Sequence, residues 1–400
     1  MKDFSSDLIK FHTMLSNGEN FAFARFSDGE VDILKNIHLS LQSDRVIEGD
    51  KVHSFGYPED DHKEFIPEKH QFVREALLES FKFRKPGYYK GIGDPCCNGE
   101  QYVKWMRDLH GYGDEEHLTW ANLLVNGNYG YFISVVVPVL ASRDVVLICS
   151  ENADLSNVPL NVVKDFRVGK NCIVNDHDLV DMIAEWVEKN NIENHVFLFS
   201  ASSLSEVLIH KMYQRFENNT YLDIGTTLHP FLGLDIARDY LRAYWSRTHH
   251  PDLEKKCNWL EMVYTRDNES KYWDDILDLR NHPAARPGFV NQEAIDKDTH
   301  YRFMKQNGDK YIVCLIESEF VGFAGSVDGD IRVAVRPEFQ GRGFGKYLIR
   351  NLIYKFPQSC AKIKKENKSS IKIFEANNFV KTGEDKEMIY MERLDVTQSL

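Results

Sequence analysis

The chain has no surplus of positive charge: 49 Lys and Arg stand against 61 Asp and Glu, a formal net charge of −12 over 400 residues. Tracking along a nucleic acid needs a basic face that neutralises phosphates, so no nucleic-acid partner is expected. A single phosphorylated ligand stays open, because it needs only a local positive site. Long apolar runs are missing too. The longest, Tyr131 to Ala141, is broken by Pro138 and falls well short of the ~20 residues of a membrane span. The N-terminus, Met1-Lys2-Asp3-Phe4-Ser5-Ser6, is polar with an early acid, unlike a secretory signal, and a cytoplasmic location is expected. The seven cysteines are odd in number and irregularly spaced. Cys96 and Cys97 are adjacent rather than set at zinc-ligand spacing, and Cys149 and Cys314 sit in apolar runs, which favours buried reduced thiols over a disulfide frame. No repeat or low-complexity tract is present.

What is present is enough apolar material for ordinary cores, 42% hydrophobic and 12% aromatic, at a length that favours two domains. An amphipathic helix at Leu8 to Leu15 precedes a strand at Phe21 to Phe26, a turn at Ser27 to Glu30 and a helix starting at Val31. Further strands are expected at Tyr88–Ile92, Val145–Cys149, Asn171–Val174 and His195–Ser200. Helices are expected at Gln71–Phe81, Gly99–Leu109, Leu179–Asn190, Leu204–Phe216 and Leu234–Trp245. Alternation of this kind with apolar strands predicts an open α/β layered domain. Beyond it lies a polar stretch with His249, His250 and Pro251, read as solvated linker rather than metal site. The expected division is a first domain over 1–240, a linker over 241–257 and a second α/β domain over 258–400, with hairpin-like strands at Lys310–Ile316, Phe320–Ser326 and Ile331–Val335.

The strongest local signal is Val333-Ala334-Val335-Arg336-Pro337-Glu338-Phe339-Gln340-Gly341-Arg342-Gly343-Phe344-Gly345-Lys346. It reads as a strand, a glycine-rich turn and an amphipathic helix. Glycines let backbone approach an anion, and the N–H groups of a helix N-terminus point at it. The loop does not fit a P-loop, since Gly345-Lys346 is followed by Tyr347 rather than Ser or Thr.

The same loop resembles the acyl-CoA loop of GNAT N-acetyltransferases, with Gln340, Gly343 and Gly345 in the matching places. The stretch Lys365 to Phe379 is similar to the second GNAT signature, where Asn367 and Ser370 meet the cofactor arm. Leu279 to Arg286, with Ile295 and His300, resembles the start of GNATs that acetylate amino groups on nucleotide-linked sugars. The resemblance covers roughly Leu260 to Leu394. It implies a mixed-sheet α/β fold and acetyl-CoA held by Val333, Val335, Gln340, Gly341, Arg342, Gly343, Phe344, Gly345, Lys346, Asn367 and Ser370. It implies acceptor contacts at Arg280, Asn281 and Arg286, with His300 as the catalytic candidate or simply a packed histidine. Phe374 stands where many of these enzymes carry a proton-donating Tyr.

In the first domain, Asp28-Gly29-Glu30 follows a strand end, where ligands collect in α/β folds. Two carboxylates there suit Mg²⁺ or Mn²⁺, or simply a solvated turn. The wider pattern resembles GT-D-type glycosyltransferases over about Phe21 to Gly233. It includes Tyr88-Tyr89-Lys90-Gly91-Ile92, the asparagines Asn122, Asn126 and Asn128, and the run Asn219 to Gly233. That resemblance implies a nucleotide-sugar donor, a glycan acceptor, Asp28 and Glu30 at a metal–diphosphate, and Asp223 at the substrate. The chain departs from it at Ser200 to Ser205, where the family often has glycine. Together the two resemblances imply a bifunctional sugar-modifying enzyme, with a UDP-linked 4-amino-4,6-dideoxyglucose as the acetyl acceptor they point to. A non-catalytic first domain, peptide or protein amines as acceptors, and a homo-oligomeric assembly stay open.

Overall fold

The computed structural model describes residues 7–54, 56–58, 61–111, 115–246, 260–265, 270–316 and 318–393. The chain divides into two compact units, 1–258 and 259–400. His249, His250 and most of the expected linker, 247–257, lie outside the described residues, as do the side chains of Cys96 and Cys97. No helix among the described residues is long and apolar enough to cross a membrane.

The first unit opens with helix α1 (Asp7–Asn17), strand β1 (Ala22–Phe26) and helix α2 (Asp28–Leu34). The expected turn at Ser27 to Glu30 is instead the start of α2. Ser27 and Glu30 form a capping box, and Glu30 Oε2 accepts from the Ser27 amide at 3.0 Å. Four short strands follow, β2 (Leu39–Leu41), β3 (Val46–Glu48), β4 (Lys51–His53) and β5 (Lys63–Phe65). They form an antiparallel sheet in the order β4-β3-β2-β5, too short and too charged to show a pattern in sequence.

Then come α3 (Gln71–Lys82), β6 (Tyr88–Ile92), α4 (Glu100–His110), β7 (Leu118–Trp120), β8 (Asp144–Ser150), β9 (Asn161–Val168), α5 (Leu179–Asn190), β10 (Val196–Phe199), α6 (Leu204–Arg215), β11 (Thr220–Asp223) and α7 (Asp239–Ser246). β1 and the six strands β6 to β11 make one parallel sheet, β7-β6-β1-β11-β10-β8-β9. Strands inside such a sheet are covered on both faces, so β10 and β6 are buried at every position. Gly91 in β6 is required by space, since a Cβ there would lie 2.8 Å from the Ala121 Cα. The expected strand at Asn171–Val174 is instead a helical turn, Cys172–Asn175. Asn171 takes the left-handed conformation (φ 50°) that Asn tolerates, and β9 just before it supplies the edge strand. The helix expected from Leu234 begins only at Asp239.

The second unit comprises β12 (Leu260–Tyr264), α8 (Trp273–Asn281), α9 (Lys297–Asn307), β13 (Tyr311–Ile316), β14 (Glu319–Val327), β15 (Asp330–Val335), α10 (Phe344–Lys355), β16 (Cys360–Lys364), α11 (Lys368–Glu375), β17 (Phe379–Glu384) and β18 (Met388–Arg393). They build a mixed sheet, β12-β13-β14-β15-β16-β18-β17, antiparallel except between β15 and β16. The odd-numbered residues of β13, Tyr311, Val313 and Leu315, join a core cluster with Ile276 and Leu279 of α8 and Met304 of α9. The even-numbered ones are equally buried and face the opposite layer, where α10 packs on β13, β14 and β15.

Candidate functional site

The second unit has a groove in the middle of its sheet. β15 and β16 share one bridge, Asp330 with Cys360, and then part. A strand's N–H and C=O groups alternate between its two edges. The Gly329 carbonyl accepts from Cys360 N at 2.7 Å, whereas Arg336 N donates across to Val321 O at 2.9 Å on β14. Odd-numbered residues therefore turn their backbone toward β16 and even-numbered ones toward β14. Past the bridge, the amides of Val333 and Val335 face a gap where no strand pairs with them. Residues 332–336 are only half-buried, although β15 is the central strand of a seven-stranded sheet.

The glycine turn closes one end of this gap. Gln340 donates from Nε2 to the Val335 carbonyl at 3.0 Å. Gly341 and Gly343 have φ of 75° and 81°, the left-handed region where a side chain is strained. Gly345 lies in the first turn of α10, and a Cβ on it would come within 3.2 Å of Ile373 Cδ1, so α10 and α11 approach closely there. Amides of that first turn, those of Gly345 and Lys346 among them, have no carbonyl one turn back within the helix and form an anion-binding end. Lys346 adds a cation whose pKa is lowered by burial and by Arg350 beside it. Arg342 is half-buried in the turn. The Phe344 ring instead packs edge-on against Phe339 at 5.7 Å, so only its backbone belongs to the loop.

Asn367 caps α11, its Oδ1 accepting from Ser370 N at 3.1 Å. The two residues expected at a cofactor arm are thus bonded to each other. The Asn367 Nδ2 faces Gly288, in the segment that joins α8 to α9. Phe374 is buried and stacks edge-on with Phe379 at 5.0 Å, so that position belongs to the core and offers no proton donor.

The segment between α8 and α9 forms the other wall. Asn281 spends both ends of its side-chain amide on Ile295, donating to the carbonyl at 2.8 Å and accepting from the amide at 2.9 Å. In this arrangement its side chain holds the loop. Lys364 of β16 donates to Pro287 O at 2.9 Å. Arg280 and Arg286 stay half-buried on this wall. His300 is buried, and its Nε2 lies 2.8 Å from the Trp273 carbonyl. A carbonyl only accepts, so Nε2 carries the proton and Nδ1 the lone pair. Burial lowers the His300 pKa.

In the first unit a cavity of about 490 Å³ opens at the C-terminal ends of the parallel strands. From β8 the chain goes on to β9 on one side, and from β10 to β11 on the other, so the connections diverge between these neighbours. Such a point is where α/β sheets take ligands. Ser150 to Asn152 and Ser200 to Ser202, the residues after these two strands, line the cavity, with Arg25, Asp28, Lys63, Asp223 and Arg238.

Asp28 fits the expectation of a cavity carboxylate. Burial raises its pKa, and Asn98 donates a hydrogen bond to it. Glu30 does not fit. Its Oε1 lies 3.2 Å from Lys63 Nζ and accepts from Ser203 Oγ, while its Oε2 caps α2. Burial pushes this carboxyl up, and the Lys63 ammonium, the Ser203 hydroxyl and the cap pull it below the ordinary range. Glu30 thus serves a buried ion pair through Oε1 and a helix cap through Oε2. Among the described residues, no group of three or more His, Cys, Asp or Glu is placed to hold a metal. Of the two carboxylates expected at a metal, Asp28 lines the cavity without a cationic partner in hydrogen-bond contact among the described residues, whereas Glu30 is paired with Lys63.

Asp223 is buried, 3.8 Å from Arg25 Nη1, and accepts from Gly225 N at 2.8 Å. Beside it sits Glu206, unremarked in sequence, whose pKa is raised well above the carboxylate range by burial and by the Glu30 and Asp223 charges. Burial raises the Asp223 pKa as well, with the Arg25 guanidinium opposing it. The only signal for Glu206 was one acid among apolar residues at the start of α6.

Residues 273–379 match the model of the Acetyltransferase (GNAT) family. Among proteins of curated function, none matches the chain. Several solved structures are similar to its last third. One is yncA from Salmonella typhimurium, solved with its cofactor acetyl-CoA, which is 20% identical over 36% of this chain and 98% of that one, with a TM-score of 0.30. An N-acetyltransferase from Staphylococcus aureus Mu50 is 16% identical over 33% and 96%, with a TM-score of 0.29. A ribosomal-protein-alanine N-acetyltransferase from Brucella melitensis is 17% identical over 34% and 98%, with a TM-score of 0.28.

Proposed function

We propose, from the GNAT acetyltransferase domain that residues 273–379 carry, that the second unit moves an acetyl group from acetyl-CoA to an amino group of a nucleotide-linked amino sugar. The observation that carries the reading is the gap beside β15, where the Val333 and Val335 amides point at a space flanked by a glycine turn and a helix N-terminus. Acetyl-CoA supplies the activated thioester. The α10 end and Lys346 suit its pyrophosphate. The two valine amides polarise a carbonyl placed in the gap and stabilise the charge that develops on its oxygen.

The acceptor amine attacks as the neutral base, forming the C–N bond as the C–S bond breaks, and its proton must leave. His300 Nδ1 is our candidate for that proton, since burial keeps the ring neutral and the Trp273 carbonyl fixes its tautomer. Phe374 cannot protonate the departing thiolate, so solvent does. Thiol release from acetyl-CoA, measured across UDP-linked amino sugars and short peptides, tests the reading. Turnover of an amino sugar is expected, and turnover of peptides alone would overturn the acceptor assignment.

For the first unit we propose a nucleotide-sugar ligand in the cavity at the strand ends, in the same glycan pathway, with transfer of its sugar to a glycan acceptor. A binding module without transfer is the second reading. The observation that favours it is the Glu30–Lys63 pair, which engages one of the two carboxylates a metal–diphosphate would need.

A further inference from the structure

Three arginines from separate segments converge on the acceptor wall of the second unit. Arg280 ends α8. Its Nη2 donates to the Asn291 carbonyl, its guanidinium lies 4.2 Å over the Phe289 ring, and its Nη1 is buried with no hydrogen-bond partner among the described residues. Arg332 comes from the middle of β15. Its side chain lies on the same face as Ala334, which packs against the α8–α9 core, and its guanidinium sits 5.3 Å from the Phe303 ring centre and hydrogen-bonds Tyr311. Arg286 stands on the loop pinned by Asn281 at Ile295 and by Lys364 at Pro287.

Arg280 has its pKa lowered by burial and then by Arg332 and Arg286; of the groups acting on it only the Tyr311 phenol opposes them, and no carboxylate does so. The acid nearest in sequence to Arg332, Asp330, accepts from the Lys362 amide at 3.2 Å and feels the Arg332 charge, while no carboxylate acts on Arg280, which holds the cluster's buried donor. Like charges held together over aromatic faces, with a buried donor unused, oppose folding unless an anion joins them. Guanidinium forks suit the paired oxygens of phosphate.

We propose that Arg280, Arg286 and Arg332 form an anion subsite that holds a phosphate or pyrophosphate of the acceptor, so that the second unit selects amines by the anion they carry. This rests on the acetyl-transfer reading above and deepens it. The pyrophosphate of acetyl-CoA is assigned elsewhere, to the α10 end on the opposite face of β15. Val335 Cγ2 lies 3.9 Å from a Cβ built on Gly345, which puts the odd-numbered side chains of β15 on the α10 side and Arg332 on the other.

The test reads the full chain by thiol release from acetyl-CoA, with each accepted amino sugar offered both as its UDP conjugate and as its neutral methyl glycoside. The quantity is the ratio of the two kcat/KM values. In the wild type the ratio is expected well above one. In Arg332→Met and in Arg286→Met, the latter on a half-buried loop and least able to disturb folding, it should fall about 10- to 100-fold, the range for losing a charged hydrogen bond. UDP alone should inhibit competitively with the acceptor in the wild type and weakly in both variants. An unchanged ratio with unchanged UDP inhibition would overturn the subsite, as would an equal fall on both acceptors. If no amino sugar is turned over, the acceptor assignment fails, and UDP competition against whichever amine is accepted still decides the subsite.

Discussion

Gln340 donates from its side-chain amide to the main-chain carbonyl of Val335, 3.0 Å away. The bond ties the glycine turn to the last residue of the strand whose amides face the gap. A shift of the turn therefore moves the strand end with it, and under the proposed acetyl transfer this would couple phosphate binding at α10 to the Val333 and Val335 amides.

Gly343 carries the sharpest backbone demand in that turn, at φ 81°. Gly343→Ala places a Cβ in the left-handed region and should destabilise the second unit by about 1–2 kcal/mol. Thermal unfolding would show this, and acetyl-CoA should restore part of the lost stability by binding the folded form. A variant as stable as the wild type would mean the turn is not held in this conformation.

The Glu30–Lys63 pair is buried, so removing one partner leaves an uncompensated charge. Lys63→Met should destabilise the first unit by about 3–5 kcal/mol, and Lys63→Met with Glu30→Gln should recover most of it. The pH dependence follows from the two directions. The Glu30 pKa is lowered, so its contribution is present above the unfolded carboxylate value of about 4.3 and is lost as pH falls through the folded value. The Lys63 pKa is raised, so its contribution is present below about 10.4 and is lost as pH rises through the folded value. Denaturant midpoints across pH should fall on either side of a plateau, and both falls should shrink in the double variant.

His300 distinguishes a proton acceptor from a packed ring. His300→Gln keeps a donor for the Trp273 carbonyl and removes the Nδ1 lone pair. A candidate base should then lose about 100-fold or more in kcat with acetyl-CoA affinity unchanged. Retained kcat with a lower melting temperature would assign the residue to packing alone. Because burial lowers its pKa, the His300 contribution to stability should be present above about pH 6.5 and be lost as pH falls through the folded value.

Asp28 and Arg25 line the cavity of the first unit, and a nucleotide sugar bound there should protect it. At a hundredfold excess over Kd the stabilisation is about 2.7 kcal/mol. UDP-sugar should raise the unfolding midpoint of this unit in EDTA as well as in Mg²⁺, because Glu30 is paired with Lys63. Protection only with Mg²⁺ would mean that the ligand binds there through a metal.

The glycine turn and the strand and helix on either side of it were legible because they are local. The glycines, the strand before them and the helix after them are contiguous, and the alternation that turns Val333 and Val335 toward the gap needs only a two-residue period. What sequence could not show were long-range partners. Lys63 meets Glu30 across 33 residues and Ser203 meets it across 173. Arg332 joins Arg280 only because α8 packs against β15. The bonds of Asn281 to Ile295, 14 residues on, have no signature in composition or spacing. The small sheet from β2 to β5 was missed because three-residue strands carry no readable period.

The central claim, that acetyl-CoA lies in the gap beside β15, is tested most directly by titrating acetyl-CoA into the full chain with ¹⁵N-labelled valine. The amide resonances of Val333 and Val335 should shift saturably with one equivalent, while those of Val313 and Val321, fully buried in β13 and β14, should stay in place. Saturable binding that leaves Val333 and Val335 unmoved, or no binding at all, would contradict the account.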